Sequence, residues 1–244
     1  MTKLFESSSH ILICSDYADP AEHHHMAAHI ILALEETMTV LSGGMQTDCR
    51  GIMIPSGFAH RINTHQRPAL VFLFDNTTDI SSRIQNIRVL SEADCNTIFR
   101  LYSAFESTGL SGSYRSLEKH ILALLGLEET GCCVTDERIL AAMKIMRSRL
   151  SEPLSCQDVA DAVFLSQSRF SHLFRQQVGM TFSAYLIYQR ILCVYTGILA
   201  GTSITEAALE AGFSSSTHFA EVNRRLFGLS ASSITKNMLF TKIQ

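Results

Sequence analysis

No apolar run in this chain approaches the roughly 18 residues that a membrane-spanning helix needs; stretches such as Ile30–Leu34 and Leu70–Phe74 are short. The opening Met-Thr-Lys-Leu-Phe-Glu-Ser turns polar at once, so no secretory signal is expected. There is no Cys-x-x-Cys pair, and the 7 cysteines are scattered. An odd, unpatterned set of this kind reads as reduced thiols in a cytoplasmic protein. Charged residues make up only 18% of the chain against 46% hydrophobic. That balance excludes global disorder and leaves enough apolar surface for packed cores. At 244 residues, the length suits one large domain or two ordinary ones.

The net charge of −3 argues by itself against a nucleic-acid binder. The average hides an asymmetry. Residues 1–133 hold 9 Lys+Arg against 15 Asp+Glu, a net −6, whereas residues 134–244 hold 11 against 8, a net +3. An acidic half joined to a basic half predicts two domains with different partners.

The first half reads as short β-branched or aromatic runs: Ile11–Cys14, Ile30–Leu34, Met38–Leu41, Ile52–Ile54 and Leu70–Phe74. Turn signals at Ser42-Gly43-Gly44, Pro55-Ser56-Gly57 and Asp75-Asn76 separate them, which predicts a small antiparallel barrel or sandwich over 1–90. After Ser91 the period changes. Cys95, Ile98, Phe99, Tyr102 and Phe105 share one helical face, as do Leu117, Ile121, Leu124 and Leu125. Residues 91–127 therefore read as a helical hairpin, either packed on the sheet or contributing to a dimer. Residues 128–135 lack periodicity and read as a linker, and 136–244 as nearly continuous helix.

The second half repeats itself weakly. Ala160, Phe170, Phe174 and Gly179 correspond to Ala208, Phe219, Asn223 and Gly228 at an offset of 48 or 49 residues. Each copy parses as a short helix, a tight turn and a longer helix. Ser155 and Ser166 are the expected caps in the first copy. Ser203-Ile204-Thr205-Glu206, a capping box, and Ser215 take that role in the second. A third helix near Phe182–Leu199 joins the copies. Short helix, turn, long helix is a helix-turn-helix, whose second helix commonly enters the DNA major groove.

Pro153–Ile234 resembles the tandem helix-turn-helix domain of AraC-family transcription regulators. The stretches that carry the likeness are Leu165–Arg175, Gly179–Phe182, Tyr185-Leu186 and Arg190 in the first copy. In the second they are Ile204–Ala208, Ala211–Phe219 and Phe227-Gly228. The chain departs from the family pattern at His172, Glu221, Asn223 and Ala231. Two recognition helices on one monomer would read successive major grooves, about 34 Å apart. The outward positions of the first copy are Gln167, Ser168, Arg169, Ser171, His172 and Arg175, with Arg169 and His172 the expected base readers and Arg175 a phosphate contact. Those of the second are Ser214, Ser216, Thr217, His218, Ala220, Glu221, Arg224 and Arg225. Glu221 would repel phosphate, and Asn223 in a buried slot would need a polar partner. The first copy should carry most of the specificity.

Six of the ten histidines lie between residues 23 and 65. The segment Gly51–Asn63, with Pro55-x-Gly57-x-x-His60, resembles the second motif of cupins, and His23-x-His25 resembles the start of the first, with His29 where a Glu is usual. The two resemblances together imply an α+β protein of two domains. One is a cupin-like sensor barrel plus a helical hairpin; the other is an all-α DNA-binding domain. Strand alternation predicts that His60 and His25 point inward. His23, His25, His29 and His60 are the candidate effector ligands, through hydrogen bonds to an organic molecule or through a divalent metal; no cofactor is required. The expected partners are double-stranded DNA, a small-molecule effector and a second copy of the chain, with RNA polymerase as well if it activates; no membrane is expected. The alternative function is a cupin-type metal-dependent enzyme with a degenerate helical appendage, for which Glu221 and Asn223 speak.

Overall fold

The computed structural model describes the chain except residue 1 and residues 8–9, 19–22, 25–26, 76–77, 108–113, 129–133, 228–237 and 243–244. Two compact units emerge, Met1–Gly131 with Ser232–Gln244, and Cys132–Ala231. Most of the expected linker, 128–135, lies outside the described residues.

The first unit is built on strands β1 (Thr2–Glu6), β2 (His10–Ala18), β3 (His23–His24), β4 (Ala28–Ala33), β5 (Met38–Ser42), β6 (Met45–Cys49), β7 (Gly51–Ile54) and β8 (Ala59–Phe74). Helix α1 (Asp79–Arg83), strand β9 (Arg88–Val89) and helices α2 (Glu92–Ser107) and α3 (Tyr114–Leu125) follow. The strands form a nearly closed antiparallel barrel. Its organising element is β8. The backbone at His65 and Gln66 takes left-handed φ of 54° and 61°, and the β2 register jumps from Asp16↔Pro68 to Ala18↔Asn63. This irregularity splits the strand in two. Residues 69–74 pair with β2 and β4, while residues 59–63 pair with β3 and β5. A bulge of this kind bends a strand and raises its twist, which is how a sheet curls on itself.

Leu70–Phe74 shows no polar alternation because both faces are covered. Leu70, Phe72 and Phe74 belong to a core shared with Leu12, Leu32, Ile98, Tyr102, Phe105, Tyr114, Leu117 and Ile121, so α2 and α3 pack on that face of the sheet. Phe5 stacks on Tyr114 with ring centroids 5.1 Å apart and meets Phe105 edge-on at 5.4 Å. Buried His10 is within 2.6 Å of the Tyr114 hydroxyl through Nε2, tying the start of β2 to the start of α3. Gly51 is required where β7 passes α2, since a Cβ there would stand 2.8 Å from Cys95 Sγ and 2.9 Å from a Leu90 methyl. The hairpin's apolar face is therefore turned to the sheet. Leu117 is core at 4% exposure, while Phe99 and Leu124, expected on the same face, are 38% and 37% exposed.

The second unit contains α4 (Glu137–Ser148), α5 (Cys156–Ala162), α6 (Gln167–Val178), α7 (Phe182–Leu199), α8 (Ile204–Glu210) and α9 (Ser216–Phe227). The caps are those the sequence names. Ser155 forms a capping box with Asp158, Ser166 accepts from the Arg169 amide, and Ser203 forms a capping box with Glu206. Ser215 accepts from the His218 amide. An aromatic cluster of Phe170, Phe174, Phe182 and Tyr185 fills the first copy, and Tyr195, Phe213 and Phe219 fill the second.

One expectation is corrected at the C-terminus. Residues 136–244 do not form a single all-α stretch. Strand β10 (Met238–Lys242) pairs parallel with β1, Thr2↔Met238 to Glu6↔Lys242, in the sheet of the first unit. Five residues are too few to display a period, and the open backbone edge of β1, on which the strand is built, is not visible in a local window.

Candidate nucleic-acid interface and effector site

The recognition helix of the first copy is α6. Its sequence buries Phe170, Leu173, Phe174 and Val178, a stripe at helical spacing, and leaves the opposite face to solvent. Gln167, Ser168, Arg169, Ser171, His172 and Arg175 are all exposed. The helix carries two arginines and no acid. Gln167, Ser171, His172 and Arg175 line one cleft of about 450 Å³, together with Cys156, Thr181, Phe182 and Ser183. The last four were not among the sequence candidates. Cys156 begins α5 and its Sγ lies 3.3 Å from Ser171 Oγ. Only the packing of α5 and α7 against α6 brings these residues to the same place.

The recognition helix of the second copy is α9. Ser214, Thr217, His218, Glu221, Arg224 and Arg225 are exposed, and Ser216 and Ala220 half-buried. His218 is held in place: Ser214 Oγ lies 3.0 Å from its Nδ1, and Phe213 meets its ring edge-on at 5.5 Å. Arg224 and Arg225 fall in the last turn, where cations also complement the helix dipole. Glu221 sits one turn before Arg225 and subtracts from the positive charge of the face.

Arg190 on α7 anchors the framework between the copies. Its Nε donates to Leu150 O and its Nη2 to Glu152 O, both at 2.9 Å, and burial lowers its pKa from the ordinary value. It runs against the turn that follows α8. There Gly212 takes φ +87°, and a Cβ would stand 2.4 Å from Leu150 O and 3.0 Å from Arg190 Nε. The corresponding turn in the first copy holds Phe164 in a left-handed conformation, φ 57°, with the ring 96% exposed.

In the first unit His29 and His60 are both fully buried and their Nε2 atoms lie 3.1 Å apart. Pro55-Ser56-Gly57 makes the turn that launches β8, with Gly57 at φ +76°, and His60, Ile62 and Thr64 alternate as the buried positions of the strand. Each Nδ1 faces a backbone carbonyl, that of Ala27 at 3.2 Å for His29 and that of Phe58 at 2.8 Å for His60. A carbonyl only accepts, so each Nδ1 carries its proton, and a hydrogen bond between the two Nε2 atoms requires a third. His23 is the backbone register partner of His60, and His25 lies outside the described residues. No set of three metal-ligating side chains occurs among the described residues.

A family model described as a helix-turn-helix domain matches residues 159–237. The chain is 25% identical over 233 residues to the probable transcriptional regulator LumQ of Photobacterium leiognathi, covering 85% of this chain and 89% of that one. It is 31% identical over 93 residues to the regulatory protein PocR of Salmonella typhimurium, a match that spans 38% of this chain and only 31% of PocR. The fold is that of ToxT from Vibrio cholerae. The apo form of a variant superposes with a TM-score of 0.62 at 10% identity, covering 94% of this chain and 98% of ToxT. A wild-type structure described as bound to an unsaturated fatty acid gives 0.59 at 11%, with 94% and 95% covered.

Proposed function

We propose that the chain is a helix-turn-helix transcription regulator of the AraC family rather than an enzyme, a cytoplasmic, sequence-specific activator controlled by a small molecule held in the N-terminal barrel. The observation that carries the DNA reading is the pair of capped helix-turn-helices joined by α7, each with a buried apolar stripe and an exposed polar recognition face. Arg169 and His172 read bases. Arg175, Arg224 and Arg225 take phosphates, and Gln167, Ser168, Ser171, Ser216, Thr217, His218 and Glu221 complete the two reading faces. Asn223, which had spoken for a degenerate domain, is buried with a hydroxyl partner. The test is a gel shift on the promoter nearest the protein's own reading frame, with salt titrated. A steep loss of affinity with salt is expected, because phosphate contacts release counterions. Equal affinity for that promoter and for unrelated DNA overturns the reading.

The effector reading rests on His29 and His60, two imidazoles brought together inside an apolar barrel. Imidazole Nε2 atoms can donate to or accept from a polar ligand group. ToxT's fatty acid supplies the first probe. An unsaturated fatty acid should raise the melting temperature of the wild-type chain, and His60→Ala should abolish the rise. A dimer formed through the hairpin, and contact with RNA polymerase, complete the proposal.

A further inference from the structure

The geometry points to a second ligand site, on the outside of the barrel, for a small monocarboxylate with a compact apolar body. A cleft of about 320 Å³ opens between α1, β9 and the end of α3. Its walls include the buried side chains of Met53, Ile84 and Leu127. Two guanidinium groups, Arg83 and Arg88, line it.

The two are in different states. Arg83 is neutralised: its Nη2 donates to Asp79 Oδ2 at 2.6 Å and its Nη1 to Glu128 O at 2.9 Å. Arg88 is not neutralised by any carboxylate among the described residues. It directs Nε and Nη2, the side-on pair of donors that matches a carboxylate, at Met53 Sδ, 3.2 and 3.0 Å away. Nη2 also reaches Leu125 O at 3.3 Å. A thioether is a weak acceptor, whereas a charge-assisted bidentate pair with a carboxylate is among the strongest hydrogen-bonded arrangements available to Arg. Handing those two donors from sulfur to a carboxylate in the cleft is therefore favourable. One uncompensated charge selects a monoanion, and the apolar walls select a ligand with a hydrophobic part.

A bound carboxylate competes with Leu125 O, at the end of α3, for Arg88 Nη2.

Isothermal titration of the full chain with benzoate tests this, with neutral benzamide as control. One saturable benzoate site is expected, with no benzamide binding. Arg88→Met should weaken it by about tenfold or more, the loss of a bidentate charged contact. Gln85→Glu, an exposed change on the cleft wall, should weaken it by repulsion and guards against a fold defect in the first variant. His60→Ala should leave it intact, which separates this site from the barrel interior. Absence of saturable benzoate binding, equal binding of benzamide, or binding unchanged in both Arg88→Met and Gln85→Glu overturns the proposal, as does loss in a folded His60→Ala.

Discussion

Tyr195 on α7 donates its hydroxyl proton to Asn223 Oδ1 on α9 across 2.5 Å, with both side chains buried. The bond joins the connecting helix to the second recognition helix. It gives Asn223 the polar partner its sequence position demanded. Burial pushes the Tyr195 hydroxyl pKa up, so it remains a donor throughout the physiological range. Tyr195→Phe or Asn223→Leu alone removes one side of this bond and should cost about 1–3 kcal/mol. The double variant should recover part of the loss. Chemical denaturation of the four proteins measures the coupling; strict additivity would show that the bond contributes nothing. Asn223→Phe should lower the melting temperature rather than raise it.

Gly212→Ala should destabilise the second unit by about 1–3 kcal/mol, since it combines a left-handed backbone with a Cβ driven against Leu150 O. Urea unfolding detects this. A change below about 0.5 kcal/mol, the range of neutral surface substitutions, would mean that the turn relaxes freely.

Base readers and phosphate contacts should separate by assay. Arg169→Ala and His172→Ala are expected to lower the ratio of specific to non-specific affinity, by about 1–3 kcal/mol for a bidentate base contact. Arg224→Ala should weaken both kinds of binding and make the salt dependence shallower. Glu221→Arg should raise general affinity. Fluorescence anisotropy on cognate and scrambled duplexes reads all four. If the first three bind the cognate duplex like wild type, the assigned reading faces are wrong.

Leu124 is the better probe of self-association, because Leu117 lies in the core and charge there would damage folding. Leu124→Asp should convert a dimer to a monomer in sedimentation and weaken binding to paired half-sites while sparing a single one. The avidity at stake can reach about 10²–10⁴. A wild-type monomer at micromolar concentration and above would remove the hairpin from this role.

Burial pushes the thiols of Cys49 and Cys95 up to about 11. A raised acid pKa means that the folded state holds these protons more tightly than the unfolded chain does. The associated stability is complete below about pH 8.5, the pKa of a free thiol, and is lost as pH rises toward 11. Thermal unfolding between pH 8 and 11 should show a declining melting temperature, with a smaller decline in Cys49→Ala. A decline that is identical in the variant would assign the effect to other groups.

The sequence determined the local parts. Cap residues precede their helices because an exposed amide end needs an acceptor, and a short window contains both groups. The six helices of the second unit, the exposed recognition faces and the strand after Pro55-x-Gly57 follow from periods and turn chemistry of that kind. Tertiary structure alone decided what depends on partners far apart in the chain. The pairing of β10 with β1, the facing of His29 and His60, and the bond from Tyr195 to Asn223 all join residues that no window holds together. Phe99 and Leu124 share the hairpin's apolar spacing, yet they stay exposed because the sheet covers only the arc centred on Cys95, Ile98, Leu117 and Ile121. A periodic pattern marks which face is apolar; the extent of what packs against it is set by the rest of the fold.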